Sequence, residues 1–267
     1  MRFYYILLPL LTIFCSFSAL AQDISHPKHE VRAVWLTTIG GLDWPHSYSQ
    51  SAASAKKQQK ELTHILDKLQ KANINTILLQ TRVRATTIYP SAIEPWDGCM
   101  SGFPGKSPGY DPLAFAIEEC HRRGMELHAW VVAIPVGKWN KLGCRQLNAK
   151  HRGLVKRIGE DGYMRPENPM TATYIADICE EITRNYDIDG IHLDYIRYPE
   201  QEKLKRSSLP ICRENITRIV RAVNTRVREC KPWVKISCSP LGKYSDLSRY
   251  NSNGWNAFST VDRKSTR

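Results

Sequence analysis

The sequence has no Cys-x-x-Cys pair, no glycine-rich phosphate loop, no strands joined by hairpin turns, and fewer acidic than basic residues. Each absence removes a class of protein. Of the eight cysteines, one (Cys15) falls in the N-terminal leader. The odd number left, without ligand spacing, argues against a zinc knuckle and a dense disulfide framework. Cys120 and Cys179 lie in apolar helical patterns and read as core. Without a glycine-rich turn after an early strand, a nucleotide-binding doubly wound sheet is disfavoured. No apolar run after the leader is long enough to span a bilayer, so no stable membrane insertion is expected.

The charge imbalance is 38 Lys and Arg against 26 Asp and Glu, a formal net charge of +12. Much of it lies between Lys203 and Lys231. An anionic partner such as nucleic acid is one reading of such a segment. The bases are spread around a helical pattern, which favours a solvated face, and no nucleic-acid partner is expected.

The leader fixes an expectation of compartment. Arg2, the apolar run Phe3 to Phe14, and Ala19-Leu20-Ala21 have the layout of a secretory signal peptide cleaved after Ala21. The expected organisation is a signal peptide over 1–21, a linker over 22–29 and a folded domain over 30–267, exported to the periplasm or beyond.

Strand and helix patterns then alternate. "EVRAVWLTT", "NINTILLQTR", "MELHAWVV", "GIHLD" and "VKISCSP" read as strands, and helical periodicity separates them over Ser54–Ala72, Asp111–Gly124, Met170–Tyr186 and Ile211–Cys230. Such alternation demands crossover connections and a parallel sheet. The segments that follow strands are long and aromatic, and those returning from helix to strand are tight. That asymmetry predicts an α/β fold of the (β/α)8 TIM-barrel type, which carries its chemistry on the post-strand loops. About five β/α units are legible, where a full barrel needs roughly 250 residues or more. "NGWNAFSTV" reads as the start of a further helix and "DRKSTR" as a polar ending. The expectation is a C-terminally incomplete barrel, a truncated or frame-shifted copy that carries half a catalytic site and is inactive and aggregation-prone alone.

Strand parity selects the candidate site. In "DIDGIHLDYIRYP" (187–199), Gly190, His192 and Asp194 share one face, and Ile191 and Leu193 share the other. The same parity turns His128 and Trp130 inward on the third strand and aligns Gln80 with Arg82 on the second. A carboxylate near Arg and His, roofed by Trp130 and Tyr195, suits a sugar ring. Aromatic faces stack on its C–H side, and a positioned carboxyl acts on the glycosidic bond. Other readings stand beside this one. Asp194 also suits capping of the next turn, His192 an interior hydrogen bond, and Trp35 and Trp130 core packing. The His-x-Asp spacing also suits a metal ligand pair, although it is too common to imply one. No cofactor or metal is expected.

"EVRAVWLTT", "ILLQTRVRATTIYPSAIEPW", "GYDPLAFAIEECHRRGMELHAWVV", "RPENPMTATYIADICEEI" and "DGIHLDYIRYP" together resemble the glycosyl-hydrolase-like family 10, secreted bacterial barrel proteins. The resemblance runs from about Glu30 to about Phe258. It implies a (β/α)8 glycosidase fold and hydrolysis of a bacterial polysaccharide, cell-wall glycan being the most discussed class. It implies Asp194 as the catalytic carboxylate, as general acid or acid/base. Arg82, His128, Trp130, His192, Tyr195 and Arg197 would bind the polysaccharide or oligosaccharide substrate. Two departures stand out. Many relatives carry an acidic residue where this chain reads Arg84-Ala85-Thr86-Thr87, and the expected second carboxylate belongs to a later strand. The alternative is a carbohydrate- or wall-binding protein without turnover.

Overall fold

The computed structural model describes residues 30–240. The leader with its cleavage site, and the segments "NGWNAFSTV" and "DRKSTR", lie outside the described residues.

Five parallel strands form one sheet in the order β1-β2-β3-β7-β8, an arc of a (β/α)8 barrel. They are β1 (Ala33–Leu36), β2 (Thr76–Arg82), β3 (Glu126–Val132), β7 (Gly190–Asp194) and β8 (Lys235–Cys238). Between β1 and β2 runs α1 (Ala52–Lys71), started by Ser51 and Ser54 in a reciprocal capping box. After β2 come the one-turn α2 (Gly98–Ser101) and then α3 (Pro112–His121). Asp111 caps α3 by accepting from the Leu113 and Ala114 amides at 3.0 Å, and Pro112 occupies the first turn. β7 and β8 are flanked by α5 (Pro169–Asn185) and α6 (Leu209–Cys230).

The two faces of the strands differ as parity predicts. Ile77, Leu79, Leu127, Ala129, Val131, Ile191 and Leu193 are buried in the core shared with the helices. On α5 and α6 the matching stripes are Ile175, Ile178 and Ile182, and Ile216, Ile219 and Val223. Each such side chain contributes about 1.5–3 kcal/mol by leaving water. The opposite face carries Trp35, His128, Trp130, His192 and Asp194, so the apolar layer fixes where the polar groups stand.

One region departs from the sequence reading. Residues 133–169 are expected to be a polar loop with no hairpin, but they build a second, antiparallel sheet in the order β4-β6-β5. Its parts are β4 (Pro135–Lys138), α4 (Leu142–Lys150), β5 (Val155–Ile158) and β6 (Asp161–Met164). The β5–β6 hairpin closes through Gly159 and Glu160, with Gly159 at φ +58°, where glycine is at ease. This small sheet grows from the C-terminal end of β3 and supplies one wall of the cleft described below. Among the described residues, no helix is long and apolar enough to cross a membrane.

Candidate active site

Asp194 ends β7, and hydrogen-bond donors engage both its oxygens. Oδ2 accepts from the indole Nε1 of Trp130 at 3.0 Å. Oδ1 accepts from the backbone amide of Tyr195 at 2.7 Å and from the Ser239 hydroxyl at 2.9 Å. The strand-end carboxylate therefore caps the turn and is also held in one orientation. The turn itself is tense: Tyr195 has φ +50°, sparsely populated for a residue with a side chain. Tyr195 is 41 % exposed.

Arg197 keeps the ring there. Its guanidinium carbon lies 4.4 Å from the Tyr195 ring centroid, a cation–π stack. Its Nε and Nη2 both reach Glu200 Oε1 at 2.7 Å. Arg197 is only 8 % exposed, so it acts on the cleft mainly through Tyr195 and Glu200.

His192 and His128 lie below this rim. His192 Nδ1 shares a hydrogen bond with Ser237 Oγ at 2.8 Å, and its ring meets Trp35 edge-on at 5.8 Å. Its Nε2 is buried with no hydrogen-bond partner among the described residues. Burial pushes the imidazole down to about 4, against the opposing pull of the Asp194 charge and with help from His128. A neutral ring at ordinary pH suits an interior hydrogen-bonding role better than proton transfer. His128 pairs with Glu126 at 3.2 Å and lies flat over Gly190. A Cβ on Gly190 would stand 2.6 Å from His128 Nδ1, so only glycine fits under that ring.

Arg82 does not join the group, contrary to expectation. The β2–β3 register shifts between Gln80 and Arg82, which breaks the simple alternation and turns the side chain away. Its guanidinium is fully buried and forks onto Glu94, Nε to Oε2 at 2.9 Å and Nη2 to Oε1 at 2.7 Å. Nη1 donates to the carbonyls of Val132 and Ala133. Tyr174 on α5 donates to the same Glu94 at 2.9 Å. Burial alone would lower the Arg82 pKa, but the Glu94 charge overrides it and holds it above the ordinary value. Arg82 thus anchors the loop after β2 and the exit of β3, and presents no donor to a ligand.

A cleft of about 460 Å³ opens above the sheet, within the common range of small-ligand sites, about 300–1,000 Å³. Trp130, Tyr163 and Tyr195 give it aromatic surface, and Gln80, Asp161 and Glu200 give it polar groups. Asp194 is not among the lining residues; it joins the cleft through its bonds with Trp130 and Tyr195, which are. Burial, and next the charges of Asp161 and Glu200, hold the Tyr163 phenol above its ordinary range. Tyr163, Asp161, Glu200, Ser239 and Glu94 are absent from the sequence-based site. Parity extended along "SCSP" points Ser237 and Ser239 to the His192 face. The others sit on loops or the small sheet, where no long periodicity marks them. Among the described residues, no group of three or more His, Cys, Asp or Glu comes together as a metal site.

Comparison with known proteins places this geometry. In fold, the chain is similar to a hypothetical protein from Ruminiclostridium thermocellum (TM-score 0.52, 17 % identity, covering 77 % of this chain and 96 % of that one). It is also similar to alpha-L-fucosidase isoenzyme 2 from Paenibacillus thiaminolyticus (TM-score 0.51, 13 % identity, 84 % and 34 %). In sequence it is 33 % identical to the glycosyl hydrolase YngK of Bacillus subtilis over 239 residues, 82 % of this chain and 46 % of that protein. It is 31 % identical to the glycosyl hydrolase DigH of Escherichia coli over 260 residues, 86 % and 58 %. The chain thus spans about half the length of these curated relatives. The family model described as glycosyl hydrolase-like 10 matches residues 30–209, from the start of the sheet through β7 and its loop. A parallel barrel arc with its polar groups at the C-terminal ends of the strands is therefore the fold of a known lineage, and this chain belongs to the glycosyl hydrolase-like 10 family.

Proposed function

We propose that the protein is an exported glycoside hydrolase acting on a bacterial polysaccharide, with cell-wall glycan the leading substrate class. One observation carries the reading. A carboxylate at the end of a barrel strand is held by an indole N–H and a backbone N–H, beside a cleft walled by Trp130, Tyr163 and Tyr195. Aromatic faces suit the C–H face of a pyranose, and an oriented carboxylate suits the positive charge that develops at the anomeric carbon. Because both oxygens accept from obligate donors, Asp194 fits the role of that charge-stabilising carboxylate better than that of proton donor. Export rests on the leader, from Arg2 through Ala21.

A second reading draws on the same aromatic walls, namely glycan binding without turnover. Incubating the full chain with isolated cell-wall glycan and other bacterial polysaccharides separates the two. Hydrolysis predicts new reducing ends that accumulate with time, equally in the presence of a chelator. Retention of glycan with no new ends would replace hydrolysis by binding, and loss of activity to the chelator would point to a metal-dependent reaction.

A further inference from the structure

Hydrolysis of a glycosidic bond by carboxylates needs two of them, and Asp194 is one. We infer that Glu200 is the second, the group that protonates the departing oxygen; this rests on the functional reading above. Glu200 lines the same cleft as Trp130 and Tyr195. Its side chain is only 7 % exposed, unusual for a carboxylate on a loop, and it is oriented rather than free. Arg197 Nε donates to Oε1, and its Nη2 lies 2.7 Å from the same oxygen as an ion-pair contact. Oε2 has no hydrogen bond to any described residue. A proton on Oε2 removes the charge that pairs with Arg197 but leaves Oε1 to accept from its Nε, and Oε2 is the unengaged oxygen of a residue that lines the cleft.

The two carboxylates are built differently, as an acid/base pair requires. Asp194 has donors on both oxygens, whereas Glu200 has one oxygen anchored and one unengaged. Asp161, the other acid in the cleft, is tied to Lys138 at 3.1 Å and its side chain is 34 % exposed, so its charge is better hydrated. In the step assigned, the Oε2–H bond of Glu200 breaks as its proton passes to the glycosidic oxygen. The C1–O bond breaks and its electron pair leaves with that oxygen, while Asp194 faces the charge at C1. Water then bonds to C1 through its oxygen and returns a proton to Glu200 Oε2, restoring the starting state.

The test is Glu200→Gln in the full chain, compared with the unmodified chain and with Glu200→Gly. Gln keeps an oxygen for Arg197 but removes its counter-charge, so a lower melting temperature is expected, and turnover is measured well below it. The expected loss in kcat on natural glycan is about 100- to 10,000-fold, with KM little changed. An aryl glycoside whose leaving group needs no protonation should lose far less. The limb of the pH profile that reports the acid should vanish, and added azide should restore turnover in Glu200→Gly. A purely structural Glu200 would impair both substrates alike and give no azide rescue, which would overturn the inference. Near-normal hydrolysis of glycan by Glu200→Gln would overturn it alone and leave the functional reading standing. Absence of hydrolysis in the unmodified chain would overturn both.

Discussion

Replacing Glu94 by Gln removes one charge and little volume, yet it should be among the most damaging single changes in the described fold. The side chains of Arg82 and Glu94 are 0 % and 1 % exposed. Glu94 receives two bonds from Arg82 and one from Tyr174. With Gln, a permanently charged guanidinium stays buried without its counter-charge, and breaking one partner of such a pair costs about 3–5 kcal/mol. For a domain of this size that is a fall in melting temperature on the order of 10 °C. Glu180→Gln is the control. Its partners Arg184 and Arg226 are 65 % and 42 % exposed, and surface pairs of this kind contribute about 0–1 kcal/mol. Thermal melts followed by circular dichroism compare the two variants. The Arg82–Glu94 bond also braces the carbonyls of Val132 and Ala133, next to Trp130 and Asp194, so glycan hydrolysis should fall along with stability. A loss below about 1 kcal/mol for Glu94→Gln, or one no larger than for Glu180→Gln, would refute the buried-pair account.

Other consequences follow from burial and close contact. The unfolded chain protonates His192 below its ordinary pKa near 6.5, whereas the folded chain does so only near 4. Folding stability should therefore be complete above that upper value and fall as pH drops through the window, by up to about 3 kcal/mol. Denaturant titrations across pH 4–7 should show this slope flattened in His192→Gln; an unchanged slope would assign it elsewhere. Gly190→Ala places a methyl group 2.6–2.8 Å from the His128 ring and should cost about 1–3 kcal/mol, with partial recovery in the double variant with His128→Ala. Burial pushes the Cys120 and Cys179 thiols up to about 12, so iodoacetamide should leave both unmodified in the folded chain and label them in denaturant. Mass spectrometry of the two samples checks it.

How much of this was legible in the sequence depends on how local the signal is. The β/α order followed from periodicity, and the cap at Asp111-Pro112 from chemistry confined to two adjacent residues. Parity at β7 separated Ile191 and Leu193 from His192 and Asp194 because that strand is regular. Parity failed at Arg82, where a single register shift reverses the facing of the last residue of β2. Glu94 was invisible because its partner lies across a loop and its third bond comes from a helix 80 positions away. The small sheet leaves no periodic signal in the sequence because each of its strands has four residues, too few to show a period. Glu200 lies between Pro199 and the basic stretch that follows, and nothing in its neighbourhood distinguishes it from a solvated acid. Only the fold of Arg197 back onto it places it at the cleft.

The central claim is that Asp194 is the carboxylate on which glycan hydrolysis turns. Asp194→Asn keeps an oxygen that can accept from Trp130 or from Tyr195, and it preserves shape while removing charge. Measuring reducing-end release by the full chain and by this variant, with glycan binding recorded in parallel, tests the claim most directly. Retained binding with a fall in kcat of at least about 1,000-fold is predicted. Release at the rate of the unmodified chain would remove Asp194 from the chemistry and contradict the account.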